Sequence, residues 1–71
     1  EENSRVEWAS QSDPNVFFDQ LDQGYADEYV RNGNVSDEFE NNYNTTRSQM
    51  EDAYKKAGWE QGSDGKWSKP Q

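Results

Sequence analysis

The chain of 71 residues has no cysteine, no histidine and no isoleucine, a single leucine (Leu21), and seven basic side chains against fifteen acidic ones. Without cysteine, neither a disulfide frame nor a thiolate metal site compensates for a small core, and the redox compartment stays open. Without histidine or cysteine, the usual general base near neutral pH is missing, as are the usual metal ligands and nucleophiles. No apolar run approaches the roughly 20 residues that cross a bilayer, and no signal-peptide pattern is present. The chain is therefore expected to be soluble as it stands, without membrane insertion. It opens on Glu1-Glu2 rather than on methionine, as a processed protein or a segment excised from a longer chain does.

Carboxylate pairs such as Asp19 with Asp22, or Glu51 with Asp52, have the chemistry of the acid and base of a sugar hydrolase. Such work needs a cleft that raises one pKa, which a chain this short and polar is not expected to build. No stretch has the Asp-x-Asp-x-Asp-Gly spacing of a calcium loop. The expectation is a protein that is not an enzyme, with no catalytic residue, no cofactor and no metal.

Aromatic residues are what the chain does have: they make up 14% of it, half of a hydrophobic content of only 28%, so any core is aromatic. A chain of this length is one small domain, and a marginally stable one. Its organising stretch is Asp13 to Gly33. Asp13-Pro14 opens a helix, because a carboxylate accepts first-turn N–H groups and proline fits the first helical position. Phe17, Phe18, Leu21, Tyr25 and Tyr29 follow at steps of three and four on one face. Asn32-Gly33 closes it. Gly24 inside costs about 1 kcal/mol relative to alanine, which calls for a kink or a close neighbour there.

Residues 1–12 read as a polar leader or one short strand, from the alternation of Val6 and Trp8 with Arg5 and Glu7. Residues 13–69 read as the domain. After Gly33, Ser36 caps a short helix from about Asp37 to Tyr43, and a second runs from about Arg47 to Ala57, separate or fused across Asn41–Thr46, whose short polar side chains compete for the backbone. Met50, Ala53, Tyr54 and Ala57 form the buried face of the second, and Gly58 ends it. The tail is a β-hairpin flanked by Trp59 and Trp67, with Asp64-Gly65 suited to positive φ in its turn. The fold expected is α+β and mostly helical: two or three short helices with a C-terminal hairpin, to which Val6–Trp8 adds a third strand if it is one. Leu21, Tyr25, Phe39, Tyr54 and Trp59 are expected to contact one another.

Gly58-Trp59 and Gly65-Lys66-Trp67 resemble one unit of the choline-binding repeats of bacterial surface proteins, whose hairpins pair a Gly-Trp with a Gly-Lys-Trp. They are also similar to short Ala-Gly-Trp and Asp-Gly-Lys-Trp segments of large phage and mobile-element polyproteins. Each resemblance covers about a tenth of the chain. The repeat family builds its aromatic cages from neighbouring copies and continues with tyrosines, whereas Ser68 and Lys69 follow here and there is no second copy, so no binding residue is carried over. What the resemblances imply is a surface or assembly component whose hairpin binds cell wall or docks a neighbouring subunit.

Charge is the most informative feature. Asp13 to Glu40 carries eight acids against Arg31 alone, a net of −7, while residues 1–12 carry −2 and Arg47 to Lys69 carries +1. Nucleic-acid binding needs a basic footprint and is not expected. A basic protein partner is, with fast and salt-sensitive encounter. The function expected is a non-catalytic acidic protein-interaction domain, with Asp19, Asp22, Asp27, Glu38, Glu40 and Trp67 as partner-binding residues. The alternatives are an acidic inhibitor that imitates nucleic acid in the cleft of a basic enzyme, and the surface or assembly component above. Asn34-Val35-Ser36 and Asn44-Thr45-Thr46 match the glycosylation acceptor pattern, as an Asn- and Ser-rich chain does by chance.

Overall fold

The computed structural model describes residues 2–70. Among them the chain forms α1 (Glu2–Gln11), α2 (Pro14–Asn32), α3 (Asp37–Lys56) and an antiparallel hairpin of β1 (Glu60–Gln61) and β2 (Trp67–Ser68).

α2 has the ends its sequence announces. Asp13 is extended and its carboxylate accepts a bond from the Asn15 N–H at 2.9 Å, Pro14 fills the first helical position, and Gly33 closes the helix at φ 73°. That left-handed conformation strains any residue with a Cβ. α2 runs unbroken through Gly24, and no atom outside the helix's own backbone lies within 4 Å of where a Cβ would sit. Close packing therefore does not explain this glycine. Gly24→Ala should gain about 1 kcal/mol from helix propensity, a rise in Tm of roughly 4–8 °C in a domain this small. An unchanged or lower Tm in a calorimetric scan would contradict that geometry.

Residues 2–11 are neither strand nor loose leader but helix, because burial decides between the two periods. Val6 and Ala9, three apart, turn toward the core, and Ala9 is fully buried. Its small side chain lets α1 lie close against the protein interior. The Trp59 indole Nε1 donates to the Ala9 carbonyl at 3.2 Å. That carbonyl is one of the last four of α1, which have no acceptor role within the helix.

α3 is continuous across Asn41–Thr46, the fused form of the two expected helices. Tyr43, Thr46 and Arg47 are half-buried, and the Arg47 guanidinium reaches Asp22 of α2 at 2.9 Å. Such tertiary contacts outweigh the low propensity of Asn41–Thr46. The Ser36 Oγ accepts the Phe39 N–H at 3.1 Å, and Asp37, Glu38 and Glu40 fill the first turn, at the positive end of the dipole. At the other end Trp59 N donates to Tyr54 O at 2.9 Å and Gly58 N to Lys55 O at 3.1 Å, with Gly58 at φ 103°. These are the two bonds of a Schellman motif, and its usual apolar contact is present as the edge-on packing of the Tyr54 and Trp59 rings, 6.4 Å apart.

In the hairpin, Glu60 pairs with Ser68 and Gln61 with Trp67. The turn is closed by Gly65 N donating to Gly62 O at 3.0 Å, and only Gly65 of the Asp64-Gly65 pair takes positive φ. Gly62 N donates to Lys66 O at 2.8 Å. Antiparallel pairs alternate, so at the next position the N–H and C=O of Trp67 point away from β1. Both are taken by the side-chain amide of Asn15: its Oδ1 accepts from Trp67 N at 2.8 Å and its Nδ2 donates to Trp67 O at 2.9 Å.

The core cluster among the described residues is Ala9, Phe18, Met50, Ala53, Tyr54 and Trp67, with Val6, Phe17, Leu21, Ala57 and Trp59 packed around it, and Pro14 is fully buried as well. Tyr54 is at the centre. Its hydroxyl bonds to Ser12 at 2.9 Å; burial pushes its phenol above the usual range, a rise the Ser12 bond reduces and the Asp13 charge adds to. The expected five-residue core divides. Tyr54 and Trp59 belong here and Leu21 sits at the edge, whereas Tyr25 and Phe39 join Tyr43 in a second aromatic group, with Tyr25 4.7 Å from Tyr43 and 6.1 Å from Phe39. Tyr29, 53% exposed, lies beyond the end of the stripe. Two separate clusters make the molecule a slab of 43 × 28 × 17 Å, with a radius of gyration of 13.4 Å, against about 11 Å for a compact chain of this length.

Candidate functional site

The turn Gly33–Ser36 sends α3 back beside α2, and rings hold the two helices apart on one side of a gap that no side chain fills on the other. Tyr25 wedges against Phe39 and Tyr43, while Gly24, one residue earlier, contributes nothing. The result is a hollow of about 320 Å³ lined by Leu21, Gly24, Tyr25, Phe39, Tyr43 and Thr46, with Gln20 and Asn42 at its lips. A second open hollow of about 360 Å³, lined by Ser4, Arg5 and Trp8 of α1, Phe17 of α2, and Thr46 and Met50 of α3, adjoins it at Thr46, which borders both. Taken together as one groove, the two hollows span α3 from Phe39 to Met50, a length of about 16 Å at the helical rise. Trp8 at its far end is 47% exposed, its ring edge-on to Phe17 at 5.4 Å.

A different, polar cleft of about 230 Å³ lies where α2 and α3 meet the hairpin, lined in part by Asn15, Asp19, Asp22, Arg47 and Gln61. Asp22 is held there from two directions, accepting from the Tyr43 hydroxyl and from Arg47 at 2.9 Å. The Arg47 guanidinium also lies over the Phe18 ring, 5.4 Å from its centre, a favourable contact for a cation. The bond to the Asp22 carboxylate raises the Tyr43 pKa above its ordinary value; burial adds to this and the Arg47 charge takes part of it back.

The six residues singled out by sequence do not form one site. Asp22 is a structural partner of Arg47 and Tyr43 rather than an unpaired surface acid. Asp19, exposed, accepts a bond from Gln23 at 3.1 Å and borders the same cleft. Glu40 stands three and seven residues before Tyr43 and Arg47, on the flank toward that cleft. Asp27 lies three and seven residues beyond Gly24 and Gln20, and Glu38 four before Asn42, so both flank the turn end of the groove; both are exposed. Trp67 is not a surface ring: it is 6% exposed and stacks on Phe18 at 5.7 Å, because the hairpin needs an apolar anchor and the helices need a lid. Glu28, which sequence reasoning passed over, is half-buried at the same end of the groove, three residues after Tyr25, and holds Asn32 at 2.8 Å and Arg31 at 3.9 Å. The available signal for the groove was Gly24, a gap in an otherwise bulky stripe.

Among the described residues, no group of three or more carboxylates is placed to hold a metal ion, and no helix is long and apolar enough to cross a membrane. No protein-family model, curated protein or solved structure matches the chain.

Proposed function

We propose that this chain is a non-catalytic protein-interaction domain that takes a basic segment of a partner protein into the groove between α2 and α3. The observation that supports this most is the coincidence of an open apolar groove, floored by Leu21, Tyr25 and Phe39, with the part of the chain whose net charge is −7. The field of the acids raises the rate of encounter with a basic partner, and the apolar floor supplies the short-range attraction that holds it.

The test uses a helical peptide of leucine and lysine as probe, titrated calorimetrically at about 0.05 M and 0.5 M salt, across which the screening length falls from roughly 14 Å to 4 Å. Binding should weaken severalfold with salt. Neutralising Asp27→Asn together with Glu38→Gln should leave the fold intact and remove much of that salt dependence. Gly24→Phe, which fills the hollow from the helix side, should abolish binding with the helical circular dichroism retained. Undiminished binding by folded Gly24→Phe would refute the proposal.

A further inference from the structure

We infer that the occupant of this groove is an amphipathic α-helix of about three turns, lying parallel to α3 with its basic residues in its N-terminal half. The inference rests on the groove being the docking site, and adds the form and direction of what docks. The distance from Phe39 to Met50, about 16 Å, equals three helical turns. The floor is nearly devoid of backbone-pairing groups, since the helices flanking it satisfy their own, and the polar side chains along it are few: Gln20, Asn42 and Thr46, with Ser4 and Arg5 at the far end. An extended segment laid there would leave its own N–H and C=O groups unpaired over apolar side chains, whereas a helix pairs them internally. A helix presents its apolar anchors at steps of three and four, the way helices fill grooves of this kind.

Direction follows from the charges at the two ends. The turn end carries Asp27 and Glu28 from α2 and Glu38 from α3, with Arg31 as the cation beside them. Among the residues that line the far end, the charged one is Arg5. A helix whose lysines or arginines lie in its N-terminal half brings them to the carboxylates when its N-terminus is at the turn. Its dipole agrees, because the positive N-terminal end then meets the acids and the negative C-terminal end meets Arg5. α3 starts at the turn, so the occupant runs parallel to it. A second copy of this chain does not fit that description: each copy carries a net charge of −8, its two long helices place their cations the other way, with Arg31 in the last turn of α2 and Arg47, Lys55 and Lys56 in the C-terminal half of α3, and the single cation of α1, Arg5, shares that helix with Glu2 and Glu7.

The experiment compares two blocked peptides of roughly 14 residues with leucines at identical helical spacing, one with all its lysines in the N-terminal half and one with all of them in the C-terminal half. Lysines near a helix N-terminus disfavour the free helix, so the intrinsic bias runs against the expected result. The first peptide should bind this protein about tenfold more tightly, which two or three partly exposed charge pairs supply. It should become helical on binding and shift the amide resonances of Gly24, Phe39 and Thr46. A spin label at its N-terminus should broaden Asp27 and Glu38, and one at its C-terminus should broaden Arg5 and Trp8. Equal or reversed preference, or an N-terminal label that broadens Arg5, overturns the direction while leaving the groove as the docking site. Binding without helix formation overturns the form. Binding of neither peptide, or shifts confined to residues outside the groove, removes the docking site itself.

Discussion

Tyr54→Ala should leave the chain without a cooperative fold at room temperature. The Tyr54 ring is fully buried and lies 5.7 to 6.4 Å from the rings of Trp8, Phe17, Phe18, Trp59 and Trp67. Among the ring contacts of the described residues, it is the ring that joins α1, α2 and the tryptophans of the tail through α3. Deleting a large buried ring costs about 3–5 kcal/mol in lost transfer energy and residual cavity. At about 0.05–0.15 kcal/mol per residue, a chain of this length has roughly 4–10 kcal/mol in total. The loss equals the whole stability at the low end of that range, where a small core without disulfides places this chain, and nothing covalent remains to hold the elements together. Tyr54→Phe keeps the packing and removes only the bond to Ser12, a change of about 1 kcal/mol, and should melt as a folded protein. Near-ultraviolet circular dichroism and amide dispersion report the difference. A dispersed, native spectrum from Tyr54→Ala would show that the clusters support the fold separately.

Trp67→Ala should have an effect of the same order, with a different distribution. The ring stacks on Phe18 and approaches Tyr54 at 6.0 Å, so its removal costs about 3–5 kcal/mol. A two-stranded hairpin is marginal by itself. Residues 59–69 should then lose their amide dispersion first, and the helices should follow at lower temperature than in the parent. This bears on function as well. Loss of partner binding in a Trp67 variant would report loss of structure, so the acids and Gly24 are the informative positions. If residues 59–69 keep their native shifts in Trp67→Ala, the anchor is Trp59.

What was legible in the sequence was local. Asp13-Pro14, Gly33, Ser36 and Gly58 end helices through bonds made within a few residues, and each acts where its chemistry implies. α1 was not legible, because its hold on the fold is the burial of Ala9 and the bond its carbonyl accepts from Trp59, fifty residues away. The continuity of α3 was open for the same reason: Arg47 reaching Asp22 decides it, across a separation of 25 residues. The charge asymmetry could be counted from the sequence, but the state of each acid could not. Asp22 is indistinguishable from Asp19 or Asp27 until Arg47 and Tyr43 are seen to take it. The groove was hidden in the same way, since a glycine inside a helix reads as a cost until the neighbouring helix shows what it leaves open.

The Asn15 amide has a further consequence for how this protein behaves at high concentration. A hairpin of two strands has open edges, and an open edge is a template on which a strand of another molecule can add itself. At Trp67 the outward N–H and C=O of β2 are both occupied by Asn15, whose amide has the same donor and acceptor spacing as a peptide unit. The protein thus supplies its own one-residue substitute for the next strand. Sheet growth from this side is blocked by a side chain anchored in the first turn of α2, and exchanging that asparagine for a residue without an amide would expose a site for recruitment into larger sheets.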